Sequence, residues 1–176
     1  MLPSRPQTFG LESCRDLLEK LKWEIEGLET HDNSDVKGLT FRAWNACVTA
    51  WHLTDWVWNE MTTTQRATLM TSSGSPIKTP AEFQTQVRNE CRAMHAFRQI
   101  ATASKHWKTE KHPDPAVAAE VSLVSSTGII LGESRLDYPD WALRIELDGG
   151  SENLIDLLNQ ALSYWTQFIF NQGISA

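Results

Sequence analysis

No window of this chain approaches the roughly 20 consecutive apolar residues needed to span a bilayer. Its opening residues, MLPSRPQTFG, lack the apolar core of a secretory signal. The expectation is a soluble, cytoplasmic protein with no membrane partner. Cysteine is scarce as well: Cys14, Cys47 and Cys91 are odd in number, widely spaced and set among apolar residues at helical spacing. They fit reduced core thiols better than disulfides or zinc ligands. Excess positive charge is also missing. At a net charge of −6, the protein as a whole would not draw in nucleic acid, so any RNA contact must come from a local basic patch. A glycine-rich phosphate loop, HExxH and GxSxG are absent, which removes the commonest signals of nucleotide, zinc-protease and α/β-hydrolase chemistry. No cofactor and no metal is expected.

Aromatic and apolar side chains are not lacking. Eight tryptophans and a hydrophobic share of 41% supply the surface that disordered chains lack. A chain of 176 residues can bury roughly two-thirds of its unfolded surface in one core, so a single domain over residues 1–176 is expected.

Leu11, Cys14, Leu17, Leu18, Leu21, Ile25 and Leu28 recur at three- and four-residue steps and predict a first helix over 11–28. After the polar segment HDNSDVKG, a second helix is predicted over about 39–61. Its Phe41, Trp44, Val48, Trp51, Trp56, Val57 and Trp58 put apolar surface on more than one side, which suits a central position. TTTQRATLM can form a short helix, and TSSGSPIK reads as an exposed loop. Thr79-Pro80-Ala81-Glu82 is a capping box with proline at the first helical position, opening a third main helix over about 80–104.

Pro113 and Pro115 then end helical structure. Val121, Leu123, Ile129 to Leu131, and the alternating Trp141, Leu143, Ile145 and Leu147 predict a hairpin or three-stranded ribbon, with Asp148-Gly149-Gly150-Ser151 breaking it. Leu154, Ile155, Leu158, Leu162, Trp165 and Ile169 return to helical spacing in a last helix ending near Gly173. The expected fold is mainly α: an antiparallel four-helix bundle with a β-hairpin or small β-ribbon before the last helix.

Two polar patterns are candidates for chemistry. Asn45, His52, Asp55 and Asn59 share one stripe of the second helix. Either His52 and Asp55 satisfy each other or neighbouring backbone groups inside the bundle, or Asn45, His52 and Asp55 line a site. Two candidate ligands on one helix fall short of a metal site; a metal-dependent bundle enzyme would need His52, Asp55 and His95 or His106 to converge. On the third helix, Arg88, Arg92, His95, Gln99, Thr102 and His106 draw a basic stripe, with Arg98 and Lys105 beside it. This is either a solvated face or an anion site in which arginines hold phosphate and histidine moves protons. Ser104 reads as a helix-end residue, and His31 and His112 as solvated loop histidines.

The segment Arg88-Asn89-Glu90-Cys91-Arg92-Ala93-Met94-His95, set in an all-helical layout, resembles the HEPN superfamily. That family's motif is an arginine, usually followed by a polar residue, and a histidine after four to six intervening residues. Six residues separate Arg88 from His95, and Asn89 fills the polar position. Arg98 and His106 have seven between them, outside that spacing. WNACVTAWHLTDW and RQIATASKHW are also similar to stretches of uncharacterised bacterial helical-bundle proteins. The resemblance implies metal-independent RNA cleavage by Arg88 and His95 in a homodimer. Asn89, Arg92, Arg98, Lys105 and His106 would contact the RNA. The competing expectation is a non-catalytic module that binds another protein through its aromatic surface.

Overall fold

The structure, a computed structural model, describes residues 8–32, 35–105, 114–124 and 140–174. Among them run six helices and three strands: α1 (Cys14–Glu29), α2 (Val36–Glu60), α3 (Thr63–Ala67), α4 (Pro80–Glu90), α5 (Arg92–Ala103), β1 (Ala118–Val124), β2 (Asp140–Leu147), β3 (Gly150–Asn153) and α6 (Leu154–Asn171). The protein is mainly helical with a small antiparallel sheet ordered β1-β2-β3. His106, His112 and the strand expected around Ile129 to Leu131 lie outside the described residues.

Helix α2 is central, packing against α1, α4, α5, α6 and β2. Its 25 residues span about 37 Å at 1.5 Å per residue. Its small buried residues Ala43, Ala46, Cys47 and Ala50 let neighbouring backbones come close, and its large ones fill the gaps between them. Trp165 of α6 is fully buried, and its indole nitrogen donates to the Ala50 carbonyl at 3.2 Å. That satisfies the one polar atom of a side chain which otherwise contributes apolar burial. Phe83 bridges Trp58 at 5.5 Å and Phe168 at 5.5 Å between ring centres, tying α4 into the same aromatic core. Cys14, Cys47 and Cys91 are free and buried. Burial with Glu60 alongside pushes the Cys14 thiol up to about 12, so it stays protonated and unreactive.

The helix starts follow from their caps. Ser13 and Asp16 form a reciprocal capping box on α1, and Thr62 and Gln65 form one on the short α3. At α4, the Glu82 amide donates to Thr79 Oγ1 at 3.2 Å and the Thr79 amide donates back to Glu82 Oε2 at 3.0 Å, with Pro80 in the first turn. Helix α2 begins earlier than its apolar pattern predicts. Asp35 caps it by accepting from the Gly38 amide at 2.9 Å. His31, expected to be solvated, instead has a side chain only 15% exposed, with Nε2 3.2 Å from Asp35 Oδ2.

Two further expectations need correction. The single helix predicted over 80–104 is interrupted at Cys91, whose φ of −129° and ψ of 101° are extended. The residues on either side are held by different parts of the fold. Glu90 Oε2 accepts from the Tyr164 hydroxyl of α6 at 2.8 Å, while Arg92 reaches the β2–β3 turn. These contacts override an unbroken helical periodicity.

The segment from Asp148 to Ser151 does not end the ribbon. Asp148 at φ 53° and Gly149 at φ 78° form the two-residue turn of a hairpin, and β3 starts at Gly150. Two successive positive φ values match the twist of antiparallel strands, which is why Asp-Gly suits this turn. The alternation read in β2 holds, with Leu143, Ile145 and Leu147 buried.

Candidate nucleic-acid interface

With the interruption at Cys91, the basic stripe of the third helix is shared among three destinations. Arg92 is committed to structure: Nε donates to Asp148 at 2.9 Å, Nη2 to the Leu147 carbonyl at 2.8 Å, and Nη1 to Glu152. All three nitrogens therefore clamp α5 onto the β2–β3 hairpin, and the two carboxylates offset the charge. Arg92 does not stand open for phosphate as the resemblance implies.

Arg88 is different. It is half-buried on α4, with Nε donating to the Gln84 carbonyl at 3.3 Å and Nη2 to Thr85 Oγ1 at 3.1 Å. Neither contact supplies a counter-charge, and donors remain for an oxyanion because guanidinium carries five N–H bonds. Burial, and then the like charge of Arg98 on α5, lower its pKa. Arg98 has no hydrogen bond from its guanidinium to another described residue. The nearest described partner of Gln84 is on α2: Gln84 Nε2 donates to Asp55 Oδ1 at 2.9 Å.

His52 of α2 is half-buried, with Lys105, Asp55 and Lys20 as the charges acting on it. Its pKa is lowered by burial first, then by Lys105 and, more weakly, Lys20, with Asp55 opposing. Asp55 thus accepts from Gln84, and its carbonyl accepts from Asn59 Nδ2 at 2.8 Å. No hydrogen bond joins His52 to Asp55, so the two do not satisfy each other as one reading of that stripe supposes. Lys20 belongs to a buried cluster: its ammonium pairs with Glu24 and donates to Thr49 Oγ1 at 2.7 Å. Arg88 and Arg98 form no ion pair with a described carboxylate, and Lys105 acts on His52. The four are drawn from α2, α4 and α5 and the residues just after it.

His95 takes a third direction. Its Nε2 lies 2.7 Å from Asp114 Oδ2, and Asp114 Oδ1 accepts from the Ala116 amide at 2.9 Å. Both bonds hold the Asp114 carboxyl below the usual range, the histidine contributing most. A histidine oriented by a carboxylate is equipped to carry a proton. No hydrogen bond joins His95 to Arg88, and the extended Cys91 lies between them. Asn89 is exposed beside the 71–73 loop and Asn45 is exposed on α2, so neither joins the cationic group. Among the described residues, no three His, Cys, Asp or Glu side chains come close enough to hold a metal ion.

Sequence reasoning missed Asp114, Glu24 and Trp44 as site-forming groups. Asp114 lies 19 residues from His95 between two prolines and reads locally as part of a helix stop. Trp44 reads as one core aromatic among several, yet it is 43% exposed.

No protein-family model, no curated protein and no solved structure matches this chain. No helix among the described residues is long and apolar enough to cross a membrane.

Proposed function

We propose that this protein is a HEPN-like RNA-binding domain whose phosphate-contacting face is built from Arg88, Arg98, Lys105 and His52. The reading implies a bundle of four arms, with α1, α2 and α6 as three and the broken α4–α5 pair as the fourth. The observation that carries it is the bonding of Arg88: on a chain of net charge −6, this half-buried guanidinium donates only to the Gln84 carbonyl and Thr85 Oγ1, has no carboxylate partner among the described residues, and has Arg98 near it. A partly buried cation without a carboxylate is costly, and a polyanion relieves that cost by pairing with it and releasing its counterions. Arginine suits the task because its fork meets two phosphate oxygens at once.

Cleavage is the stronger form of this reading. His95, oriented by Asp114, would take the proton from the attacking 2′-hydroxyl or return one to the leaving oxygen, and Arg88 would steady the phosphate. In one protomer the two side chains are held by separate contacts. That agrees with a homodimer in which Arg88 and His95 act together across two copies.

The test measures binding and cleavage of mixed single-stranded and structured RNA, with EDTA present, at several salt concentrations. Arg88→Ala and Arg98→Ala are each expected to weaken binding and to reduce the slope of log affinity against log salt by about one contact. His95→Ala is expected to leave binding intact and to reduce cleavage by about 10²- to 10⁴-fold, the usual contribution of a general acid or base. Salt-independent binding, or affinity unchanged in both arginine variants, would remove the cationic face from consideration and return the protein-binding module to first place.

A further inference from the structure

Helices α2 and α5 and strands β1 and β2 line a groove that the phosphate contacts do not use. Its outer chamber, about 230 Å³, is lined by Trp44, Ile100, Val117, Ala119 and Asp114. An inner chamber of about 150 Å³ shares Trp44, Ile100 and Ala119 with it and continues over Cys47 and Leu143. Both are smaller than the roughly 300–1,000 Å³ of sites for drug-sized ligands. A flat ring system of one or two rings suits them better than an extended chain.

Three features favour a nucleobase as that ring. Trp44 is a large aromatic left 43% exposed, and an indole face at a groove mouth is a stacking platform for any base. On α2, Trp44 stands between Cys47, which lines the groove, and Asn45, which begins the polar stripe leading to His52. The platform therefore stands on the same helix as His52, about two turns nearer its N-terminus. Asp114 supplies direction: its oxygens accept from His95 and the Ala116 amide, and each retains lone-pair capacity. A carboxylate accepts from an exocyclic amine, whereas uracil has none and offers only its single N3–H between two carbonyl oxygens that repel the carboxylate.

We propose that this groove seats one base of a bound RNA strand, stacked on Trp44 and read by Asp114, with preference for amine-bearing adenine or cytosine over uracil. The inference rests on the RNA-binding reading and deepens it.

The test compares labelled ribohexamers of adenosine, cytidine and uridine with an abasic hexamer by fluorescence anisotropy at one salt concentration. Stacking on a side chain contributes about 1–3 kcal/mol per base, so the adenosine and cytidine hexamers should bind roughly 5- to 150-fold tighter than the abasic strand. Trp44→Ala should bring them to the abasic level, and Trp44→Phe should keep most of the difference. Asp114→Asn should narrow the margin over uridine. Equal wild-type affinity for abasic and base-bearing strands overturns the base site. If Arg88→Ala still weakens both, the phosphate face survives that result. If neither strand binds, both ideas fall.

Discussion

His95 Nε2 and Asp114 Oδ2 lie 2.7 Å apart and fasten α5 to the segment that leads into β1. Asp114 has its pKa depressed by this bond and by the Ala116 amide. Its contribution to stability is therefore complete above the ordinary aspartate value of about 3.9 and is lost as pH falls through the folded value. Urea titrations between pH 6 and pH 3 should show a declining midpoint, with Asp114→Asn flattening that decline. An unchanged slope in the variant would mean that the pair does not form in solution.

The sign for His52 is the same, although the group is a base. Burial and Lys105 hold its pKa down, so the folded protein binds fewer protons than the unfolded chain just below the usual histidine value of about 6.5. Stability contributed by the neutral ring is complete above that value and falls as pH drops through the window beneath it. RNA binding should act oppositely, because phosphate favours the imidazolium. Affinity is expected to rise between pH 7.5 and pH 5.5 with uptake of a proton, and His52→Gln should abolish that uptake in calorimetry run in buffers of different ionisation enthalpy.

Arg92 joins α5 to the hairpin through Asp148, Glu152 and the Leu147 carbonyl. Arg92→Ala should lower the melting temperature and speed amide exchange in β2 and β3, while RNA affinity stays within about twofold. Selective loss of RNA affinity with unaltered exchange would instead place Arg92 on the phosphate path.

Glu24 is only 7% exposed, and its Oε2 has no hydrogen-bond partner among the described residues; Lys20 supplies its compensating charge. The Lys20 side chain is 38% exposed, but its removal leaves the buried Glu24 carboxylate uncompensated. Lys20→Met is therefore expected to cost about 3 kcal/mol, and the double change Lys20→Met, Glu24→Leu to recover most of it. Chemical denaturation of the three proteins completes the cycle. Additive losses would show that the two side chains do not depend on each other.

How far the sequence foretold this arrangement depended on the distance over which each signal acts. The capping box from Thr79 to Glu82 was legible because its bonds close within four residues, and the alternation of Leu143, Ile145 and Leu147 because the pleat repeats every two. The interruption at Cys91 was hidden. Its causes are Tyr164 holding Glu90 and the hairpin holding Arg92, and both lie more than fifty residues downstream. Asp148-Gly149 carried a true signal with two meanings, since the dipeptide that ends a strand also turns a hairpin. Of the candidate site residues, Arg88 and Arg98 could be placed on one helical stretch. The separation of Arg88 from Arg92 and His95 depended on that unseen break.

Asn153 is at once the last residue of β3 and the cap of α6, accepting from the Ile155 amide at 2.8 Å. No slack separates strand from helix. A slip of the hairpin by one residue would therefore carry the cap away from the helix it starts and turn Trp165 out of its place against Ala50. The two-residue turn at Asp148 and Gly149 thus acts as a counting device: the length of one tight loop sets the rotational phase of the whole C-terminal helix in the core.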